Sequence, residues 1–149
     1  VEWAGLVTAG EWIDRALRYG KEDRLPLMLD DTITFFSRLT EGAYTGIAFQ
    51  KNGMKVQRKD GTTFFPNELS QGTVEQLYIA LRLAFVKNTA DIVSMPILID
   101  DGFVNFDEDR KNIMFTLLEE LSEDVQVLFF TFDDACVQRF SQKQVYMLK

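Results

Sequence analysis

The run Pro96-Ile97-Leu98-Ile99, ended by Asp100 and Asp101, limits the fold more tightly than any other stretch of this chain. Three aliphatic residues in succession leave no polar face, so the segment reads as a strand buried on both sides with two acids at its C-terminal end. A helical pattern follows, with Asp107 as its cap and Ile113, Leu117, Leu118 and Leu121 on its inner face. A second apolar run covers residues 125–130, Asp133 can cap a short helix through Phe140, and residues 145–148 read as a last strand. Strand, helix, strand, helix, strand in that order predicts parallel pairing with helical crossovers, an α/β fold.

Upstream the pattern is different. Residues 1–19 mix apolar and charged positions without a strand rhythm and read as a short helix, broken at Gly20. From Pro26 the residues Leu25, Leu29, Ile33 and Phe36 recur at three- and four-residue steps, which predicts a helix to about Leu39 closed by Gly42. The dipeptides Asn52-Gly53 and Asp60-Gly61 then separate three short strand-like runs, an antiparallel meander. Leu77, Ala80, Leu81, Ala84 and Phe85 form the stripe of a further helix starting near residues 70–73, where Thr73 and Gln76 would make a capping box. The whole chain is expected to be one lobe: residues 1–45 helical, 46–66 the meander, and 67–149 a helix joined to the α/β core.

With 149 residues and 46% hydrophobic content the chain can build an ordinary core. Its net charge of -7 repels phosphate backbones over most of the surface, so any nucleic-acid contact must be local or belong to a partner. One cysteine and no histidine exclude an internal disulfide and a His/Cys metal site, and fit a reducing, cytoplasmic setting. No apolar run approaches the length of a membrane span, and the N-terminus lacks the layout of a secretion signal. Val at position 1 leads us to expect a piece of something longer, or a processed chain.

Three features carry chemistry, in fixed order. Leu69-Ser70-Gln71-Gly72-Thr73 stands at a helix start, where unpaired amides favour an anion and glycine lets backbone approach closely. The Asp100-Asp101 pair ends a buried strand, where open α/β sheets place their ligands. Asn105-Phe106-Asp107 follows. Together they resemble the second half of an ABC-type ATPase head, and the phrase from Glu68 to Phe85 is similar to that of SMC-like and SbcC-like (YhaN-type) ATPases, in which a coiled-coil arm separates two half-heads. The resemblance covers Pro26 to the C-terminus.

That resemblance implies ATP and Mg2+ as cofactors and assigns roles. Ser70, Gln71 and Gly72 belong to the signature motif that faces the terminal phosphate of ATP held by a second head. Asp100 would hold magnesium, Asp101 would orient the attacking water, and Asp107, in the D-loop, would reach across to the partner's site. Partners would be the P-loop-bearing N-terminal half of the same head, a second head in an ATP-sandwiched dimer, and DNA through the full assembly. Asp101 stands where the family usually has Glu, one methylene longer, which implies slow turnover. Phe132 stands where the family carries a switch histidine, and its ring cannot hydrogen-bond a phosphate, so Thr131 or Asp133 compensates or hydrolysis is impaired. Gly5 and Gly10 have P-loop spacing, but Glu11-Trp12 follows where Lys and Ser or Thr are needed, so the chain alone should bind ATP poorly.

Each of these residues also has a plainer use. Ser70, Thr73 and Asp107 can be helix caps, Asp100 and Asp101 a solvated strand end, and Phe132 core. Two other classes of function stay open: a degenerate head that dimerises without turnover, and a magnesium-dependent nuclease built on Asp100 and Asp101.

Overall fold

The computed structural model describes residues 24–50, 53–93, 95–103, 106–140 and 145–146. They fall into two compact units, Val1–Ser94 and Met95–Lys149. The expected helix over residues 1–19 and the glycines at 5 and 10 lie outside the described residues.

In the first unit, helix α1 (Arg24–Leu39) buries Met28, Thr32, Phe35, Phe36 and Leu39. This face is turned from the expected stripe, since Leu25, Leu29 and Ile33 are only half-buried. Thr32 sits in the core because its hydroxyl donates to the Met28 carbonyl at 2.7 Å, satisfying the polar atom locally. Gly42, at φ +77°, donates its N–H to the Ser37 carbonyl at 2.7 Å, the left-handed ending that glycine permits.

The chain then makes the antiparallel meander, β1 (Tyr44–Gln50), β2 (Gly53–Arg58) and β3 (Thr63–Phe64), with Val56 opposite both Ile47 and Phe64. Val56 is fully buried, and the Tyr44 ring lies 5.2 Å from that of Phe36, so this face packs on α1. A 3-10 turn (Pro66–Glu68) leads to helix α2 (Gln71–Thr89), which buries Leu77, Ala80, Leu81, Leu83 and Ala84.

Helices α1 and α2 are tied at two levels. Gln76, 2% exposed, donates from Nε2 to the Leu39 carbonyl at 2.7 Å. At the other end the Arg24 guanidinium forks onto both oxygens of Asp91 at 2.7 Å, and Asp31 accepts from Lys87 at 2.7 Å and from the Asn88 amide at 2.8 Å.

The second unit holds two parallel strands, β4 (Ile97–Asp100) and β5 (Val127–Phe130), in register from Ile97 opposite Val127 to Asp100 opposite Phe130. Helix α3 (Glu108–Leu121) connects them and buries Met114, Phe115, Leu117, Leu118 and Leu121. Phe129 lies in an aromatic cluster, stacked 5.7 Å from Phe103 and edge-on to Phe115 at 5.6 Å. Helix α4 (Asp134–Arg139) follows β5, and Arg139 reaches back to Asn112 on α3 at 2.9 Å. Parallel pairing is as expected. Burial on both faces is not: Ile97, Ile99, Val127 and Phe129 are half-buried, whereas Leu98 is 66% exposed and Leu128 and Phe130 are also open. Two strands and one covering layer fill one side of the sheet, and among the described residues of the unit nothing packs on the other. Val145 and Tyr146 are not in a strand, and residues 147–149 lie outside those described.

Among the described residues no helix is long and apolar enough to cross a membrane.

Candidate functional site

Ser70 is the N-cap of α2. Its backbone is extended, its hydroxyl oxygen accepts from the Thr73 N–H at 3.3 Å, and the two hydroxyls are 2.8 Å apart. The expected capping box between Thr73 and Gln76 is therefore corrected: Thr73 occupies the third helical position, and Gln76 is spent on α1. Gln71 is exposed and Gly72 half-buried, so the first turn of α2 presents its amides beside a small residue. The buried Gln76 hydrogen bond anchors that turn one helical repeat further along. Sequence reasoning missed this use of Gln76, although a polar residue four positions before Ala80, on the apolar stripe, is a readable signal.

The acids of the second unit stand at the C-terminal end of β4. Asp100 is the last strand residue and is exposed. Asp101 leaves the strand with φ +44°, a left-handed conformation that Asp adopts more readily than most residues. Its N–H still donates to the Phe130 carbonyl at 2.9 Å, and its Oδ1 accepts from the Phe132 N–H at 3.3 Å. The two ends of the parallel pair are thus joined through one carboxylate.

Phe132 itself is 94% exposed, which corrects the expectation of a core residue. Its backbone is held while its ring projects into solvent. Asp107 caps α3, its Oδ1 accepting from the Arg110 N–H at 2.9 Å, so the plain role and the family-like position coincide. Asn105 lies outside the described residues.

Around this loop Lys111 places its ammonium 3.4 Å from Glu108 and 3.5 Å from Asp133. Partial burial works against its charge, and the two carboxylates outweigh that, holding its pKa above the ordinary lysine value. The Cys136 thiol, 3.5 Å from the same Asp133 oxygen, is pushed up by burial and by that carboxylate, which makes it a poor nucleophile. Lys111 was not singled out from the sequence. Its signal is its place four residues after the cap, on the turn that Asp107 starts.

The structure thus joins Asp101 to position 132 in one hydrogen-bonded loop, while Ser70, Gln71 and Gly72 belong to the other unit. Among the described residues no three His, Cys, Asp or Glu side chains gather to hold a metal. Magnesium keeps several waters and takes phosphate oxygens beside one or two carboxylates, so a lone exposed Asp100 suits that ion and not an all-protein cage.

No family model matches the chain. It is 35% identical over 150 residues to "Uncharacterized protein YhaN" of Bacillus subtilis, a match that spans 99% of this chain and 16% of that protein. It is 29% identical over 146 residues to the "DNA double-strand break repair Rad50 ATPase" of Sulfurisphaera tokodaii, across 89% of this chain and again 16% of the relative. Its fold matches the "SMC head domain from Thermotoga maritima" with a TM-score of 0.55 and 17% identity, over 87% of this chain and 44% of that one. The chain therefore spans about a sixth of the curated relatives it matches.

Proposed function

We propose that this chain is the C-terminal part of an SMC-like ATPase head, as its similarity to YhaN and to a Rad50 ATPase and its SMC-head fold support, and that it supplies the lid and the acids for an ATP whose cradle lies in another polypeptide segment. Ser70, Gln71 and Gly72 close over the terminal phosphate of a nucleotide bound by a second head. Asp100 holds the magnesium that neutralises phosphate charge in such sites, and Asp101 orients the attacking water. Asp107 reaches across the joint between heads. Two heads then sandwich two ATP molecules, and hydrolysis releases them. The work is directed to DNA, as the similarity to a break-repair ATPase suggests.

The observation that carries this reading is the Asp101 loop: a carboxylate at a strand end, in a special backbone conformation, hydrogen-bonded to the residue where the family places its switch histidine. The bare face of β4 and β5, with Leu98 and Phe130 open, supports a lobe completed by a P-loop half.

The test is reconstitution with a P-loop-bearing half-head. We expect ATP turnover that Asp101→Asn reduces at least about a hundredfold, the scale of losing an oriented reactant. Ser70→Arg should abolish ATP-induced dimerisation and leave the fold intact, because the position is an exposed helix start. Dimers that persist in the Ser70→Arg variant overturn the signature assignment.

A second reading, a head that engages without turnover, is favoured by the phenylalanine at position 132. It predicts ATP-dependent dimers with no hydrolysis in the unmutated assembly.

A further inference from the structure

Asp107 and Asp101 are joined by a continuous set of contacts within the second unit. The Lys111 N–H donates to the Asp107 carbonyl at 2.9 Å, so residue 111 shares the first turn of α3 with the cap. Its ammonium reaches Asp133 at 3.5 Å. Asp133 is locked in place at both ends: its N–H donates to Thr131 Oγ1 at 3.0 Å, and its carbonyl accepts the N–H groups of Cys136 at 3.0 Å and Val137 at 3.3 Å. Phe132, between Thr131 and Asp133, can only follow, and its N–H holds Asp101.

Screening decides which of the two Lys111 pairs matters. The Lys111 side chain is 18% exposed and that of Glu108 80%, so the Glu108 pair is a surface i,i+3 contact of little consequence. Asp133 is more sheltered and sits on the loop that touches Asp101.

We propose that Lys111 is a positioning residue: its ion pair with Asp133 sets the loop whose backbone amide, at Phe132, fixes one oxygen of Asp101 and so aims the other. The backbone N–H here takes over an orienting task that no histidine side chain performs in this chain. The inference rests on the reading of Asp101 as the water-orienting acid.

The experiment compares the reconstituted head with Lys111→Met, Lys111→Arg and the isosteric Asp133→Asn, which removes charge without volume. Turnover, KM for ATP, ATP-induced dimerisation and hydrogen exchange at the Phe132 amide are measured together. We expect Lys111→Met and Asp133→Asn to lower kcat about tenfold, the consequence of a reacting group left loosely aimed. KM and dimerisation should stay unchanged, the Phe132 amide should exchange faster, and Lys111→Arg should restore most of the rate. Unchanged kcat in both charge-removing variants, or a loss of dimerisation equal to the loss of rate, overturns the role of Lys111. Absence of turnover in the unmutated head instead overturns the hydrolytic reading itself, and with it this inference, so the two failures are told apart by the parent protein.

Discussion

The two units hold a turn at the end of an element in opposite ways. Around Ser70 the polypeptide closes on itself: α1 and α2 share a buried face, Gln76 satisfies the end of α1, and ion pairs clamp the far end. Around Asp101 a two-stranded sheet is covered on one side only among the described residues, and the turn is held by single hydrogen bonds to the neighbouring strand. The difference separates a unit that completes its own core from one whose sheet is open on one face among the described residues. The turn at Ser70 has a rigid helix behind it, whereas the turn at Asp101 stands on a sheet, and two strands are a marginal sheet without more structure on them.

The largest effect tests that contrast directly. Phe36→Ala, in the closed unit, should cost about 3–5 kcal/mol in chemical denaturation, since it empties a fully buried site. Leu98→Ala should cost within about 0.5 kcal/mol in this chain by itself, because the side chain is already in water. Once a P-loop half is bound, the Leu98 effect should grow toward that of a core residue. If it does not, the bare sheet face is not where the covering structure sits.

A smaller effect sharpens the first half of the comparison. Gln76→Leu leaves the Leu39 carbonyl buried without its partner and should cost about 1–3 kcal/mol. Hydrogen exchange should quicken in the first turns of α2, around Ser70 and Gly72, and not in α3.

The smallest effect concerns the clamp. Asp91 is held below its ordinary pKa, first by the Arg24 hydrogen bonds and then by the Arg24 charge, against partial burial. A carboxylate with a depressed folded-state pKa stabilises the fold above its unfolded pKa of about 4 and loses that contribution as pH falls through the lower folded value. Arg24→Met should therefore weaken the α1–α2 pair slightly at neutral pH and by less in strong acid, where the Asp91 share is gone and the hydrogen bond to the Asn88 carbonyl at 2.6 Å remains to be lost. A gap as large in acid as at neutral pH shows that the Asn88 hydrogen bond and the arginine stem, not the Asp91 charge, carry the effect.

Periodicity made much of the fold legible. The meander follows from Asn52-Gly53 and Asp60-Gly61, and the parallel pair from two apolar runs with a helix between them. The acids were legible because a buried strand ended in them. What escaped were features that need a third dimension. The face of α1 is set by a threonine whose hydroxyl is satisfied within its own helix, so counting apolar residues misjudged its rotation. Three aliphatic residues in succession imply burial of β4 on both sides, but how many layers cover a sheet is not encoded in a strand. Phe132 looked like core for the same reason: hydrophobicity does not say whether a ring on a loop turns inward. Gln76 and Lys111 act through partners 37 and 22 residues away, a link that local spacing does not carry.

The left-handed backbone at residue 101 has a bearing on how this site could change. Aspartate and asparagine visit that region more easily than glutamate does. A single substitution to glutamate, one methylene longer, would therefore trade reach for torsional strain, and would move the oxygen that the Phe132 amide now grips. The Phe132 ring takes no part in that grip, which its backbone amide makes, so exchanging the phenylalanine alone should leave the carboxylate of residue 101 where it is.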